Sequence, residues 1–88
     1  MAYNNKNKTI IIYIIQEYVL QEQKRGIPVK RLWQNVHNVY PISISTFYSY
    51  LAINARQKIK EYNLDIDKLN KIKEHVIETI HNVEITVA

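Results

Sequence analysis

Hydroxyl side chains are the groups of this sequence that are spaced closely enough to suggest nucleophilic chemistry. Four serine and threonine hydroxyls fall within the stretch PISISTFYSYL, residues 41–51, and belong to Ser43, Ser45, Thr46 and Ser49. A serine or threonine nucleophile needs a neighbouring base to activate it, and this stretch contains no histidine or aspartate. Helix capping and surface polarity explain these hydroxyls, so the sequence predicts that the protein is not an enzyme.

Metal chemistry is no better supported by the three histidines, His37, His75 and His81. No two of them are four residues apart, the spacing that puts two ligands on one helix face, and the nearby acids Glu74 and Glu78 fit a solvated face. The sequence also contains no cysteine, which excludes disulfides, thiol catalysis and cysteine-based zinc sites. We therefore expect neither a metal nor a cofactor.

Positive charge is the clearest functional signal in the chain, whose 88 residues have a net charge of +4. Residues 1–62 contain nine lysines and arginines against three acids, whereas residues 63–88 contain three against five. Concentrated positive charge favours a polyanionic partner, because phosphates supply most of the sequence-independent affinity. An AT-rich genome would also enrich the chain in Ile, Asn, Lys and Tyr, so a compositional origin of the lysines stays open.

The spacing of apolar residues predicts an all-α fold of three to four helices, formed by residues 1–88 as a single domain. We expect the first helix to span residues 8–25. It ends before Gly26, which can take the left-handed conformation that caps a helix. The β-branched run within residues 9–15 would also suit a buried strand, so a strand at this position stays an alternative.

Two prolines delimit the second helix, which begins at Pro28 and runs to about Asn38. Proline is tolerated in the first turn of a helix, whereas Pro41 disfavours helical geometry in the preceding residue and forces a turn. Ser43 is the expected N-cap of a third helix, because its hydroxyl can accept an unpaired backbone N–H. We expect this third helix to run without interruption to about Tyr62.

A fourth helix is predicted after a break at residues 63–67, with Asp65 as its N-cap. Its apolar positions continue to about residue 82. The closing segment VEITV, residues 83–87, alternates apolar and polar side chains and prefers a short β-strand. A lone strand must pair with the N-terminal segment, pair with a partner chain, or not form. Residues 63–88 are predicted to be an interaction element.

Helical periodicity divides the predicted third helix into two faces when successive residues are placed about 100° apart. The face that should enter the core contains Phe47, Leu51, Ala55, Ile59 and Tyr62. The opposite face contains Ser45, Ser49, Ala52, Arg56 and Lys60. A helix in the major groove of DNA needs slim polar residues beside the bases and cations beside the phosphates, and the second face has this layout.

The string SISTFYSYL, residues 43–51, resembles the start of recognition helices in the bacterial helix-turn-helix superfamily, and the resemblance covers about residues 28–55. In that superfamily the positions that face DNA match Ile44, Ser45, Tyr48, Ser49 and Ala52. The positions that fill the core match Ile42, Phe47 and Tyr50 or Leu51. The resemblance implies a helix-turn-helix-like core over residues 8–62. It also implies a small, non-enzymatic DNA-binding protein of mobile-element or phage type, with a regulatory or replication-related role.

The chain departs from the usual pattern of that superfamily at two positions. Pro41 stands where the turn usually has glycine, and His37 stands where the preceding helix usually has a small residue. A longer turn is therefore expected. Because residues 63–82 have helical spacing, no standard β-hairpin wing should follow the third helix.

Phosphate contacts are expected from cations around the first inter-helix turn and from cations on the third helix. Tyr48 could also stack on unpaired bases, so double-stranded and single-stranded DNA both stay open as partners. The complete predicted nucleic-acid-binding set is Lys24, Arg25, Lys30, Arg31, Ile44, Ser45, Tyr48, Ser49, Arg56 and Lys60.

A protein-interaction module is the alternative function. Small helix-turn-helix proteins of mobile genetic elements and phages also serve as accessory subunits of a primase- or polymerase-type replication enzyme and help it to engage template. In such a subunit the basic residues 1–62 would contact the template and the acidic residues 63–88 would bind the enzyme. In this alternative the fourth helix and residues 83–87 would hold the partner, or a second copy of the chain in a homodimer.

No membrane association is expected, because the apolar run at residues 9–15 is far shorter than the roughly 20 residues that span a bilayer. Glu17 and Glu22 follow this run directly, without the small-residue cleavage site of a signal peptide. The expected location is the cytoplasm.

Overall fold

The computed structural model describes residues 3–87, with side chains described for residues 6–85. It contains five α-helices, which are α1 (Tyr3–Gln23), α2 (Val29–Val39), α3 (Ile44–Ala52), α4 (Ala55–Glu61) and α5 (Ile66–Val87). No strand occurs within residues 3–87, so the all-α prediction is confirmed while the expected three or four helices become five. Among these residues no helix combines the length and apolar character that crossing a bilayer requires.

Helix α1 lies at the centre of the fold and contacts each of the other four helices. Its residues from Ile12 to Ile15 are all at most 5% exposed, as are Tyr18 and Val19. A helix that is apolar on nearly every side is stable only when its neighbours surround it. This central position explains why the β-branched run at residues 9–15 forms a helix instead of a strand.

The directions of the long helices follow from the side chains that join them. The Tyr13 hydroxyl donates to Asn70 Oδ1 at 3.1 Å, and Glu22 contacts His81, so α1 and α5 run in the same direction. Arg31, near the start of α2, lies 3.9 Å from Glu84, near the end of α5. Helix α2 therefore runs antiparallel to α5, and α1, α2 and α5 together form the three-helix part of the core.

Several local signals in the sequence are confirmed by the caps. Gly26 has φ +81° and follows α1 in the left-handed region, which is accessible to glycine without strain. The Ser43 hydroxyl accepts the backbone N–H of Thr46 at 3.1 Å, and Asp65 Oδ1 accepts that of Asp67 at 3.0 Å. These caps fix where α1 ends and where α3 and α5 begin.

The prediction of an uninterrupted helix from Ser43 to Tyr62 is wrong. Helix α3 ends at Ala52, Ile53 is extended (φ −82°, ψ 139°), and Asn54 caps a new helix by accepting the backbone N–H of Gln57 at 3.2 Å. Two backbone carbonyls at the break, which also accept the N–H groups of Ile53 and Ala55, are bound by Gln16 of α1. Its Nε2 donates to the backbone oxygens of Tyr50 and Ile53 at 2.7 and 2.5 Å.

The predicted strand at residues 83–87 is also wrong, because α5 continues as a helix to Val87. Val83 is partly buried, and the contact between Glu84 and Arg31 ties this turn to α2. The packing of α5 on α2 and α1 overrides the weak strand preference of a short alternating segment. Because Leu69, Ile77 and Ile80 belong to the core, α5 is part of the fold as well as a candidate interaction element.

Candidate nucleic-acid interface

Helix α2, the turn at residues 40–43 and helix α3 form the segment that was predicted to be helix-turn-helix-like. The turn is attached to α2 at one carbonyl, that of Ile42. Trp33 Nε1 donates to this oxygen at 2.9 Å, and His37 Nδ1 lies 3.0 Å from it. Two α2 side chains thus fix the path on which the chain enters α3, although Pro41 stands where a glycine is usual.

The outer face of α3 presents a row of exposed side chains. Ser45, Ser49 and Ala52 are exposed, and Tyr48 is 50% exposed. On the opposite side Phe47 is fully buried and Tyr50 is 8% exposed. The burial of Tyr50 and the exposure of Tyr48 confirm that the first is structural and that the second is accessible to a partner. Ile44, at the first turn, is partly buried.

Arg56 and Lys60 do not continue this face, because the break at Ile53 and Asn54 puts them on α4. Arg56 Nη2 lies 3.0 and 2.9 Å from the two carboxylate oxygens of Glu17 on α1. The hydrogen bonds and the negative charge of Glu17 raise the pKa of Arg56. Lys60 is exposed and lines a groove between α1, α4 and α5. The single face predicted from the sequence is therefore two separate surfaces.

The four cations around the α1–α2 turn are all exposed, but they are not equivalent. Arg25 Nη1 lies 3.0 Å from Glu22 Oε2, and Arg31 has the longer contact of 3.9 Å with Glu84. Lys24 and Lys30 form no ion pair with residues 6–85. These two lysines are the members of the cluster whose charge is not already opposed by a neighbouring carboxylate.

Two further cations beside α3 were not among the predicted site residues. The Lys8 ammonium lies 5.9 Å from the centre of the Tyr50 ring, and Lys8 and Lys58 line a groove together with Ile53, the residue that follows α3. Their separation in sequence hides this relationship. No pattern in the sequence indicates that Lys8 lies near Tyr50, because tertiary packing alone brings α1 and α3 together.

A buried carboxylate was also missed by the sequence reasoning. Glu22 is 1% exposed and contacts His81 on α5 and Arg25 on its own helix. It follows Tyr18 by four residues and Ile15 by seven, and this spacing places it on the buried stripe of α1. Periodicity could therefore have indicated its burial, although it could not have identified His81 as the partner.

No group of three or more histidine, cysteine, aspartate or glutamate side chains within the described residues is placed to hold a metal ion. Comparison with known proteins gave no match to a protein-family model, to a curated protein or to a solved structure. The resemblance to the helix-turn-helix superfamily stays a prediction. Within the described residues, the geometry defines an all-α protein in which α3 has an exposed, mostly polar face and exposed cations lie at the α1–α2 turn and beside the end of α3.

Proposed function

We propose that the protein is a non-enzymatic DNA-binding protein that uses the outer face of α3. The observation that carries this proposal is the contrast within α3 between the exposed Ser45, Tyr48 and Ser49 and the buried Phe47 and Tyr50. Small hydroxyl side chains allow close approach to base edges and can donate or accept hydrogen bonds there. An exposed tyrosine adds an aromatic surface on which a base can stack.

Exposed cations outside this face would supply the attraction for phosphates. Lys8 and Lys58 line a groove with Ile53, the residue that follows α3. Lys24 follows the end of α1, and Lys30 lies in the first turn of α2. Phosphate contacts position a protein on DNA while base contacts provide specificity. A regulatory or replication-related role in a mobile genetic element is the setting that the superfamily resemblance favours for such a protein.

A salt titration of binding to duplex and single-stranded oligonucleotides tests the proposal. Replacing both Lys24 and Lys30 with alanine should weaken binding and reduce the slope of log K against log salt by about 0.7–0.9 for each phosphate that is no longer neutralised. The matched control replaces Lys68 and Lys71, two exposed lysines of α5, and removes the same charge. Equal effects of both double variants, or no binding to either DNA at low salt, would contradict the proposal.

A role as an accessory subunit of a replication enzyme is the second candidate, and it is favoured by apolar side chains on α5. Ile72 is 46% exposed and Ile85 is 76% exposed. Truncation before Asp65 is not a usable test, because it would remove Leu69, Ile77 and Ile80 from the core. Replacing Ile72 and Ile85 with serine should instead abolish co-purification with a primase or polymerase while preserving the fold and DNA affinity.

A further inference from the structure

A groove between α1, α4 and the start of α5 is separate from the outer face of α3. Its volume is about 760 Å³, within the roughly 300–1,000 Å³ range typical of pockets for small ligands. The residues that matter for its chemistry are Tyr13, Arg56, Ile59, Lys60, Asn70 and Lys73. The break after α3 contributes to this groove, because it starts a new helix on α1 whose residues Arg56, Ile59 and Lys60 line one side of it.

Positive charge dominates the groove. Three cations line it, and the carboxylate among its lining residues is that of Glu17, both oxygens of which bind Arg56. Lys60 and Lys73 form no ion pair with residues 6–85. Lys73 is also partly buried. Two unpaired ammonium groups that line one groove would both be attracted to a bound anion.

The same groove has an apolar side and groups that form hydrogen bonds. Ile59 is 4% exposed, while Ile66 at the start of α5 is 45% exposed, and both line the groove. The Tyr13 hydroxyl donates to Asn70 Oδ1, which fixes the Asn70 side chain and leaves its amide N–H groups as donors. A ligand that fits these features has an apolar ring as well as a negative charge.

We infer that this groove binds a small organic phosphate with an apolar ring, of the nucleoside monophosphate class. A phosphate monoester has a charge of about −1.5 to −2 at neutral pH, which matches two unpaired lysines, whereas a carboxylate would match one. The phosphate lies between Lys60 and Lys73, and the ring lies against Ile59 and Ile66. A phosphate monoester next to a base occurs both in a free nucleotide and at the phosphorylated end of a DNA strand.

Calorimetric titration of the full chain with adenosine 5′-monophosphate tests this assignment. The nucleotide should bind saturably, whereas adenosine and inorganic phosphate should each bind at least about tenfold more weakly, a difference of about 1.4 kcal/mol. Exchanging Lys60 and Lys73 together for alanine should cause a similar loss. The Lys60→Ala variant alone should show a smaller loss of nucleotide affinity. Because Lys60 is exposed, this variant should fold and keeps the test valid if the double variant does not.

Two controls separate the groove from the α3 surface. Replacement of Lys68 and Lys71 with alanine removes equal charge outside the groove, and Tyr48→Ala alters α3; neither should change nucleotide affinity. No saturable binding at millimolar nucleotide, or an equal loss in the Lys68 and Lys71 control, would overturn the assignment. Competition by a short oligonucleotide with a 5′-phosphate, but not without one, identifies a strand end as the source. The absence of such competition identifies a free nucleotide.

Discussion

Glu22 of α1 and His81 of α5 contact each other inside the molecule, although 59 positions separate them in the sequence. The carboxylate is 1% exposed and the imidazole side chain is 34% exposed. Arg25 binds the second carboxylate oxygen at 3.0 Å. A buried acid requires partners of this kind, because an unpaired charge in the interior is strongly destabilising.

Removal of the imidazole should therefore destabilise the fold from the end of α5 inward. We expect His81→Ala to lower the free energy of unfolding by about 1.5–3 kcal/mol, the range for a hydrogen bond to a charged group. Urea unfolding followed by circular dichroism measures this change. Glu74→Gln on the exposed face of α5 is the control and should stay within about 0.5 kcal/mol of the parent. Equal stability of the two variants would mean that the contact contributes nothing.

The buried phenol of Tyr18 should make the protein sensitive to alkaline pH. Burial raises its pKa above the ordinary value of 10.0, while the hydrogen bond with Asn35 acts in the opposite direction. The unfolded chain therefore loses this proton at a lower pH than the folded chain does. The contribution of the phenol is fully present below about pH 10 and is lost as the pH rises through the folded pKa.

Unfolding free energies measured from about pH 8 to 11 test whether stability falls in this way. Tyr18→Phe should be less stable than the parent at neutral pH, because Asn35 Nδ2 donates to the Tyr18 hydroxyl at 3.2 Å, but its stability should fall less steeply above about pH 10. Tyr48→Phe provides the control at an exposed phenol. If the unfolding free energies of Tyr18→Phe and the parent fell in parallel above about pH 10, the ionisation of Tyr18 would not explain the loss of stability.

The cap at Asn54 should determine whether α3 and α4 remain separate helices. Asn54→Ala removes the acceptor for the Gln57 backbone N–H and should cost about 1 kcal/mol, the usual effect of losing an N-cap. Thermal or urea unfolding measures the loss. Gln34→Ala, at an exposed position within α2, is the matched control. If Asn54→Ala were neutral, the break would depend on the Gln16 contacts and not on the cap.

This break shows where sequence reasoning reached its limit. Gly26, Ser43 and Asp65 were recognisable because each cap depends on a few neighbouring residues. The Asn54 cap was missed, since helical spacing continues on both sides of it and the stabilising Gln16 contacts come from 34 and 37 positions away. The same holds for α5, which packs on α2 and α1 and continues as a helix to Val87 despite the strand preference of residues 83–87.

The candidate site follows the same division between local and distant information. The exposed positions of α3 could be read from periodicity, because Ser45, Tyr48 and Ser49 lie before the break. Arg56 and Lys60 could not, because Ile53 and Asn54 redirect the chain and rotate both side chains away from that face. Lys8 and Lys58 approach α3 only through tertiary packing, so no sequence window contains the relationship.

Tyr48 is the residue of α3 that should distinguish single-stranded from duplex binding. A base stacked on an aromatic side chain contributes about 1–3 kcal/mol, so Tyr48→Ala should reduce affinity for single-stranded DNA by about five- to 150-fold. Tyr48→Phe keeps the ring and should retain most of that affinity. Fluorescence anisotropy with a single strand and with its duplex, at one fixed salt concentration, measures both variants.

The expected result differs for a helix that enters the major groove. There Tyr48 would contact base edges or sugar and not a base face, so Tyr48→Ala should weaken duplex binding while single-strand binding changes little. Replacing Ser49 with glutamate adds a negative charge one position farther along the exposed face and should weaken both modes, because it repels phosphates. If neither substitution alters either affinity, α3 is not the surface that meets DNA.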